Sequence, residues 1–324
     1  MQVNGEGKSR IGPVDVARGA ALVAMAIYHF TWDLEFFGYI EPGTTVEGGW
    51  KLFARAIASS FLFLVGVSLV LAHARGIRWQ PFFRRLAMVA VAAAAISLVT
   101  WFAVPGGFIF FGILHQIALG SLIGLAFLRL PWLVVLAAAV AVIAAPHYLR
   151  SAAFDAPVWW WVGLSSVAPP SNDYVPVFPW TGAVLAGMAA AKLATDLGLL
   201  AALGSVRTGR WSAPLVFAGR HSLAFYLIHQ PLLIGAIWLF ALLVPPPAHT
   251  QSGFMGACTA TCQETRDGDF CPRYCACVFD RLATENRLDD VFAGDQDAET
   301  MSRLNEIAGI CTVETDLAAP VPES

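Results

Sequence analysis

The sequence predicts an all-α polytopic transmembrane helical bundle of about seven spans, followed by a small cysteine-rich helical tail outside the cytoplasm. Three observations carry this prediction. Of the 324 residues, 57% are hydrophobic and only 13% are charged, about half the charged content of an ordinary soluble domain. The apolar residues come in runs of roughly 18–25, the length that crosses a hydrocarbon core of about 30 Å. All six cysteines fall at or after Cys258, where the charge balance also inverts. From Cys258 onward there are 14 acidic and 5 basic residues, against 9 and 15 before it. A basic apolar body therefore precedes an acidic tail. The run Pro245-Pro246-Pro247, which a helix cannot continue through, marks a junction between domains at 1–248 and 249–324.

In chain order, the spans are expected at residues 14–37, 50–73, 82–104, 109–130, 131–148, 177–197 and 221–244. Breaks at Pro81, at Pro105-Gly106-Gly107 and at Pro131 separate the second to fifth of them. The first run continues past the length of a secretory signal and lacks a small-x-small cleavage site, so it reads as a retained span. Residues 149–176 are irregular and contain Trp159-Trp160-Trp161, a composition suited to the membrane–water interface; this segment should lie on the bundle rather than through it. Basic residues set the orientation. Lys8, Arg10, Arg18, Arg75, Arg78, Arg84, Arg85, Arg129, Lys192, Arg207, Arg210 and Arg220 collect on one side, with Lys51, Arg55 and Arg150 on the other. The first side is therefore cytoplasmic, which puts the N-terminus inside and the tail outside.

Functional residues are sought where the membrane makes polar groups costly. The first span carries Asp15, Arg18, His29 and Asp33. Eleven residues separate Arg18 from His29, close to three helical turns and roughly 16 Å along one stripe of the helix. Asp33 follows one turn later on the same stripe. Depth assignment places His29, Asp33, Arg55, His115 and Gln116 near the outer face, and Asp15, Arg18, Arg84, Arg85, Arg220 and His221 near the inner face. The inner mouth is thus basic and suits an anionic donor, because arginine pairs phosphates bidentately. In the outer half, His29, with His115 at similar depth, is a candidate to take a proton from an attacking hydroxyl or amine, and Asp33 to orient the ring. The distance from Arg18 to His29 is of the order of an extended pantetheine arm. No Gly-rich phosphate loop and no nucleic-acid signature is present. The lack of an internal repeat argues against a transporter built from repeated halves.

The tail contains Cys258-x3-Cys262, then Cys271-x3-Cys275-x-Cys277, and a distant Cys311. A three-residue gap puts two cysteines on one helix face. The same spacings can ligate zinc, but an even count in an oxidising compartment favours disulfides, with 15 possible pairings. Short helices are expected near Tyr274–Leu288 and Ala298–Ile310.

Arg18, ten residues, then His29 resembles the arginine–histidine motif in the first span of the membrane acyltransferase superfamily (acyltransferase type 3 and relatives). The fuller pattern resembles a bacterial branch related to the catalytic domain of heparan-alpha-glucosaminide N-acetyltransferase. It is carried by Val14-Asp15-Val16-Ala17-Arg18-Gly19, Phe61-Leu62-Phe63-Leu64-Val65-Gly66, Gly112-Ile113-Leu114-His115-Gln116-Ile117 and the stretch from Gly219-Arg220-His221 to His229-Gln230-Pro231. The resemblance covers about residues 10–244 and excludes the tail. In the lysosomal enzyme the histidine lies after the first span, so at His29 this chain is closer to the acyltransferase-3 pattern. The resemblance implies an acyl-CoA-dependent O- or N-acyltransferase of the bacterial inner membrane. The acyl group, commonly acetyl, would pass from cytoplasmic acetyl-CoA to an extracytoplasmic sugar or glycan acceptor. It makes His29 the catalytic candidate, as base or acyl relay, and Arg18 its motif partner, and calls for no metal. The alternative from another class is a transporter or lipid-handling protein that uses the same polar seam as a path.

Overall fold

The computed structural model describes residues 11–41, 43–74, 76–206, 209–244, 251–263, 266, 269–292 and 297–317. Lys8, Arg10, Arg75, Arg207 and the proline run at 245–247 lie outside them. The described chain is helical, with no strand among the described residues. In order the helices are α1 (Gly12–Phe36), α2 (Gly48–His73), α3 (Trp79–Ala103), α4 (Ile113–Phe127), α5 (Trp132–Leu149), α6 (Val177–Asp196), α7 (Leu199–Ser205), α8 (Ala213–Arg220), α9 (Ser222–Leu243), α10 (Gln251–Cys262), α11 (Phe270–Thr284), α12 (Leu288–Phe292) and α13 (Ala298–Leu317).

Five of these, α2, α3, α5, α6 and α9, are long and apolar enough to cross a membrane. The other two expected spans also form helices. α1 has the length, 25 residues, but carries Asp15, Arg18, Asp33 and Glu35. α4 has only 15 residues, about 22 Å of helix. It starts at Ile113 rather than 109 because Ile109 and Phe111 bond to neighbouring segments instead of within α4. Ile109 N donates to Thr100 Oγ1 (3.0 Å) and Val175 N donates to Phe111 O (3.0 Å). α6 ends where Gly198, at φ +72°, turns into the left-handed region and its N–H reaches Thr195 O (3.0 Å), a glycine stop of the usual kind.

The chain divides into two compact units. The first comprises the chain up to Ile27 and Leu52–Gln230; the second, Tyr28–Lys51 and the chain from Pro231 onward. In the first unit, Leu69 of α2, Phe82 of α3, Val135 and Ala139 of α5, and Leu185, Met188 and Ala189 of α6 form one buried cluster. Leu62, Ile113, Val175 and Val184 form a second. Outward faces remain apolar: Leu98 and Phe102 of α3 and Leu133 and Val140 of α5 are exposed, as lipid-facing surfaces are. Gln116, fully buried on α4, donates to Thr181 Oγ1 of α6 (2.7 Å), a typical interhelical membrane hydrogen bond.

Helices also meet where glycines remove the side chain. A Cβ on Gly66 of α2 would stand 1.9 Å from Val184 O of α6, and one on Gly187 of α6 2.0 Å from Phe63 O of α2. Backbone contact this close is open only to glycine, the small-residue logic of membrane helix packing.

Residues 149–176 form an irregular cover with two short 3₁₀ turns, Ala152–Phe154 and Pro157–Val162. Asp155 ties it together, accepting from Ser165 Oγ (2.7 Å), Ser166 N (2.7 Å) and Ser166 Oγ (2.6 Å). These bonds hold its carboxyl below the usual carboxylate range. Tyr174 Oη donates to Trp160 O (2.6 Å).

In the second unit, Glu35 folds the loop after α1, accepting from Gly43 N (2.6 Å), Thr45 N (2.8 Å) and Thr45 Oγ1 (2.7 Å). Among its described residues the tail has four helices where two were expected. Its six cysteines are taken up as Cys258–Cys275, Cys262–Cys271 and Cys277–Cys311. The first two bridges join α10 to α11 as rungs of one hairpin, and the third ties α11 to α13. Leu282, Ile307 and Cys311 make the core of this small domain, and Glu285 takes a bidentate pair from Arg303 (2.5 and 2.8 Å).

Candidate active site

Arg18 and Arg220, two of the residues read from the sequence as a basic inner mouth, meet in the first unit, and glycines bring them together. A Cβ on Gly19 would lie 2.1 Å from Leu215 O, and one on Gly219 2.0 Å from Asp15 O. These two residues let α1 and α8 touch backbone to backbone. Their immediate neighbours are Arg18 and Arg220, so the close crossing delivers both guanidinium groups to one place. Asp15, 3% exposed, receives both: Arg18 Nη1 reaches Oδ1 at 3.0 Å and Arg220 Nε reaches Oδ2 at 3.4 Å. Asp15 also occupies the first turn of α1, where the helix dipole favours a negative charge.

Arg18 reaches further. Its Nη2 donates to Ser68 Oγ of α2, whose own hydrogen goes to Leu64 O. Ser68 lines a cavity of about 160 Å³ between α2, α3 and α4. Arg85 lines it too, on the face of α3 that also presents Phe82 and Val89, and stands close enough to Arg18 for the two charges to repel. Arg84, one residue earlier and about 100° around the helix, is exposed and is not among the residues lining the cavity. Arg78, at the N-cap of α3, completes the basic lining. Arg78 and Arg85 make no ion pair among the described residues, so the cluster holds more positive than negative charge.

His115 is engaged at both ring nitrogens. Nδ1 accepts from Gly112 N (3.2 Å). Ser97 Oγ gives its hydrogen to Ile109 O (2.5 Å), so its oxygen receives the Nε2–H of His115 (3.2 Å). This fixes the Nε2–H tautomer, and the ring fastens the start of α4 to the end of α3. Asp173 helps from the other side: its Oδ2 accepts from Ile113 N (2.9 Å). Burial pushes its carboxyl up to about 6, against the opposing pull of that amide.

His29 and Asp33 belong to the second unit. Asp33 is fully buried. His29 is half-buried, its ring edge-on to Tyr28 at 5.6 Å between centroids, and Tyr28 Oη donates to Thr45 O (3.3 Å). Both residues lie on α1, which runs unbroken from Gly12 to Phe36.

Ser68 and Asp173 drew no notice in the sequence, and His73, which lines the cavity, reads there as a surface or interfacial residue. Ser68 follows Gly66 by two positions, so a search for polar residues beside crossing glycines would have found it. Asp173 sits in the loop Pro169-Pro170-Ser171-Asn172-Asp173, whose composition reports only a turn.

With this geometry in place, the comparison with known families is decisive. Residues 10–231 match the family described as heparan-alpha-glucosaminide N-acetyltransferase, catalytic. The chain belongs to this family. The matched region holds the Asp15–Arg18–Ser68 network, Arg85, His115, Asp173 and Arg220, and ends before the disulfide-bonded tail. No curated protein and no solved structure matches the chain. Membership in the heparan-alpha-glucosaminide N-acetyltransferase catalytic family, with the apolar helices, supports an integral membrane protein and suggests a membrane acetyltransferase whose donor is acetyl-CoA in general terms.

Proposed function

We propose that the protein transfers an acetyl group from cytoplasmic acetyl-CoA, across the membrane, to a sugar or glycan on the outer side. The observation that carries this reading is the excess of guanidinium charge around Asp15 and the adjoining cavity. Positive charge without matching carboxylates at a membrane mouth is stabilised by an anionic ligand, and the phosphates of coenzyme A are such a ligand. Arg18, Arg85 and Arg220 hold the donor end, with Arg84 beside them at the entrance. One α-helix then measures the distance to the chemistry: eleven residues, roughly 16 Å, separate Arg18 from His29. His29 removes the proton from the acceptor hydroxyl or amine as it attacks the thioester carbonyl, and Asp33, one turn away, orients the ring and stabilises its charged form. His115, with both nitrogens engaged, holds the head of α4 against the end of α3. The basic side faces the cytoplasm of a bacterial inner membrane, and residues 249–324 form an outward domain.

Purified protein in lipid nanodiscs, given radiolabelled acetyl-CoA and a panel of amino and neutral sugars, should release coenzyme A and label an acceptor. His29→Ala should fold with an unchanged melting temperature and lose at least ~100-fold in rate, the usual scale of a general base. No coenzyme A release by the wild type with any acceptor would sink the reading; unmodified sugar crossing the membrane would replace it with transport.

A further inference from the structure

The cavity between α2, α3 and α4 is more selective than a basic patch, because its polar lining contains acceptors as well as donors. His73 decides this. Its Nδ1 lies 2.8 Å from Leu69 O. A carbonyl only accepts, so Nδ1 carries the hydrogen and Nε2 of the neutral ring is a bare acceptor. That Nε2 is buried and has no hydrogen-bond partner, in a ring that lines the cavity. Ser121, on the α4 side, sends its hydroxyl hydrogen to Ile117 O (2.6 Å), leaving its oxygen as an acceptor too. Against these stand the guanidinium groups of Arg78 and Arg85, which only donate. A bare sulfate or carboxylate answers the arginines and leaves His73 unmatched. A buried acceptor left unmatched is costly, so the occupant should carry anionic oxygens and, next to them, a hydrogen to give.

We propose that this cavity seats a ribose 3′-phosphate: Arg78 and Arg85 take the phosphate oxygens, and the neighbouring 2′-hydroxyl donates to His73 Nε2. The assignment rests on the reading of the chain as a coenzyme A-dependent acetyltransferase, since coenzyme A ends in such a group, and it specifies which part of the donor enters here. The size agrees. At about 160 Å³ the space is below the ~300–1,000 Å³ of a site that encloses a whole ligand, so it takes one end of the donor. Arg18 is coupled to the same cavity through Ser68, and remains beside it for the rest of the molecule. The same phosphate monoester chemistry occurs in a lipid, phosphatidic acid, which has no neighbouring ribose hydroxyl.

The test uses the full chain in phosphatidylcholine nanodiscs and measures binding of adenosine 3′,5′-bisphosphate, adenosine 5′-monophosphate and the 2′-deoxy form of the bisphosphate. The wild type should bind the bisphosphate at least tenfold more tightly than the monophosphate, and the 2′-deoxy form severalfold less tightly than the bisphosphate. His73→Phe, which keeps the ring volume, should erase the 2′-hydroxyl preference while retaining the 3′-phosphate preference. Arg85→Gln should erase the phosphate preference, and Arg129→Gln should change neither. Equal binding of the three nucleotides overturns the proposal, as does a nucleotide signal abolished by a few mole per cent of phosphatidic acid, which would make the site a lipid site. Acetyl transfer is read separately with acetyl-CoA and its 3′-dephospho analogue. Transfer that ignores the 3′-phosphate sinks this site and leaves the enzyme reading standing. Nucleotide discrimination without any transfer keeps the site and sinks the enzyme reading.

Discussion

Asp173 shows how a residue with no sequence motif can matter to the site. Its carboxylate supplies the acceptor that the first amide of α4 lacks, since the first four amides of a helix have no partner of their own. A Cβ on Gly112 would stand 2.3 Å from Asp173 Oδ2, so glycine there is what lets the carboxylate approach. Burial makes the charged form costly, which holds the Asp173 carboxyl up at about 6. The folded state therefore binds more protons than the unfolded state between about pH 4 and pH 6, and Asp173 lowers stability as the pH rises through that window. The shift from 3.8 to about 6 corresponds to roughly 3 kcal/mol. In detergent, Asp173→Asn should keep the bond to Ile113 N and flatten the fall in melting temperature from pH 4.5 to 7; parallel profiles for the two proteins would refute this. Asp173→Ala, which loses the cap as well as the titration, should lie about 1 kcal/mol below Asp173→Asn at every pH, the value of a lost cap. Arg18, Arg85 and Arg220 were legible in the sequence because charge inside an apolar run is conspicuous. Ser68, His73 and Asp173 were not, because each acquires its role from a partner more than forty residues away or from a cavity that only folding creates.

At the scale of elements, close crossings made by glycine position the cluster. The motif stretches around Gly19, Gly66 and Gly219 read in the sequence as family signatures; the structure gives their physical content. Each glycine sits where a methyl group would enter another helix's backbone, and in α1 and α8 the residue beside it is an arginine paired with Asp15. Gly66→Ala or Gly219→Ala forces the helices apart, at the ~1–3 kcal/mol typical of overpacking. Gly219→Ala should in addition weaken donor binding by lengthening the Asp15–Arg220 pair. Gly235→Ala on α9, where an added Cβ meets nothing within 4 Å, should be neutral or stabilising by up to ~1 kcal/mol. Melting temperatures and donor KM for the three variants check this, and equal effects at all three would remove the packing argument. Helix positions followed from hydropathy, since long apolar runs bounded by proline and glycine leave few choices. The start of α4 did not: Ile109, Phe110 and Phe111 are as apolar as the helix after them. Hydrogen bonds of Ile109 to Thr100 and Ser97 and of Phe111 to Val175 keep this stretch out of the helix.

For the whole molecule, composition separated an apolar body without cysteine from an acidic tail with six, and the even count in an outward segment pointed to disulfides. The pairing was beyond the sequence because spacing alone permits 15 arrangements; it took the packing of α10, α11 and α13 to bring each sulfur to its partner. Bridges with sequence separations of 9, 17 and 34 residues each stabilise by about 3 kcal/mol. That is substantial for a tail whose core is little more than Leu282, Ile307 and Cys311, and such bridges persist only on the oxidising side of a membrane. The positive-inside distribution and the disulfides thus make one joint prediction about topology, and the chain is suited to testing it, because every cysteine lies in the tail and none is free. A membrane-impermeant maleimide applied to sealed right-side-out vesicles should add nothing to the untreated protein. After an impermeant phosphine reductant it should label all six positions. Inside-out vesicles treated identically should remain unlabelled until detergent is added. Labelling before reduction would contradict the pairing, and labelling of reduced protein from the cytoplasmic face would invert the orientation, placing the basic mouth outside and removing the route by which a cytoplasmic acyl donor reaches Arg18.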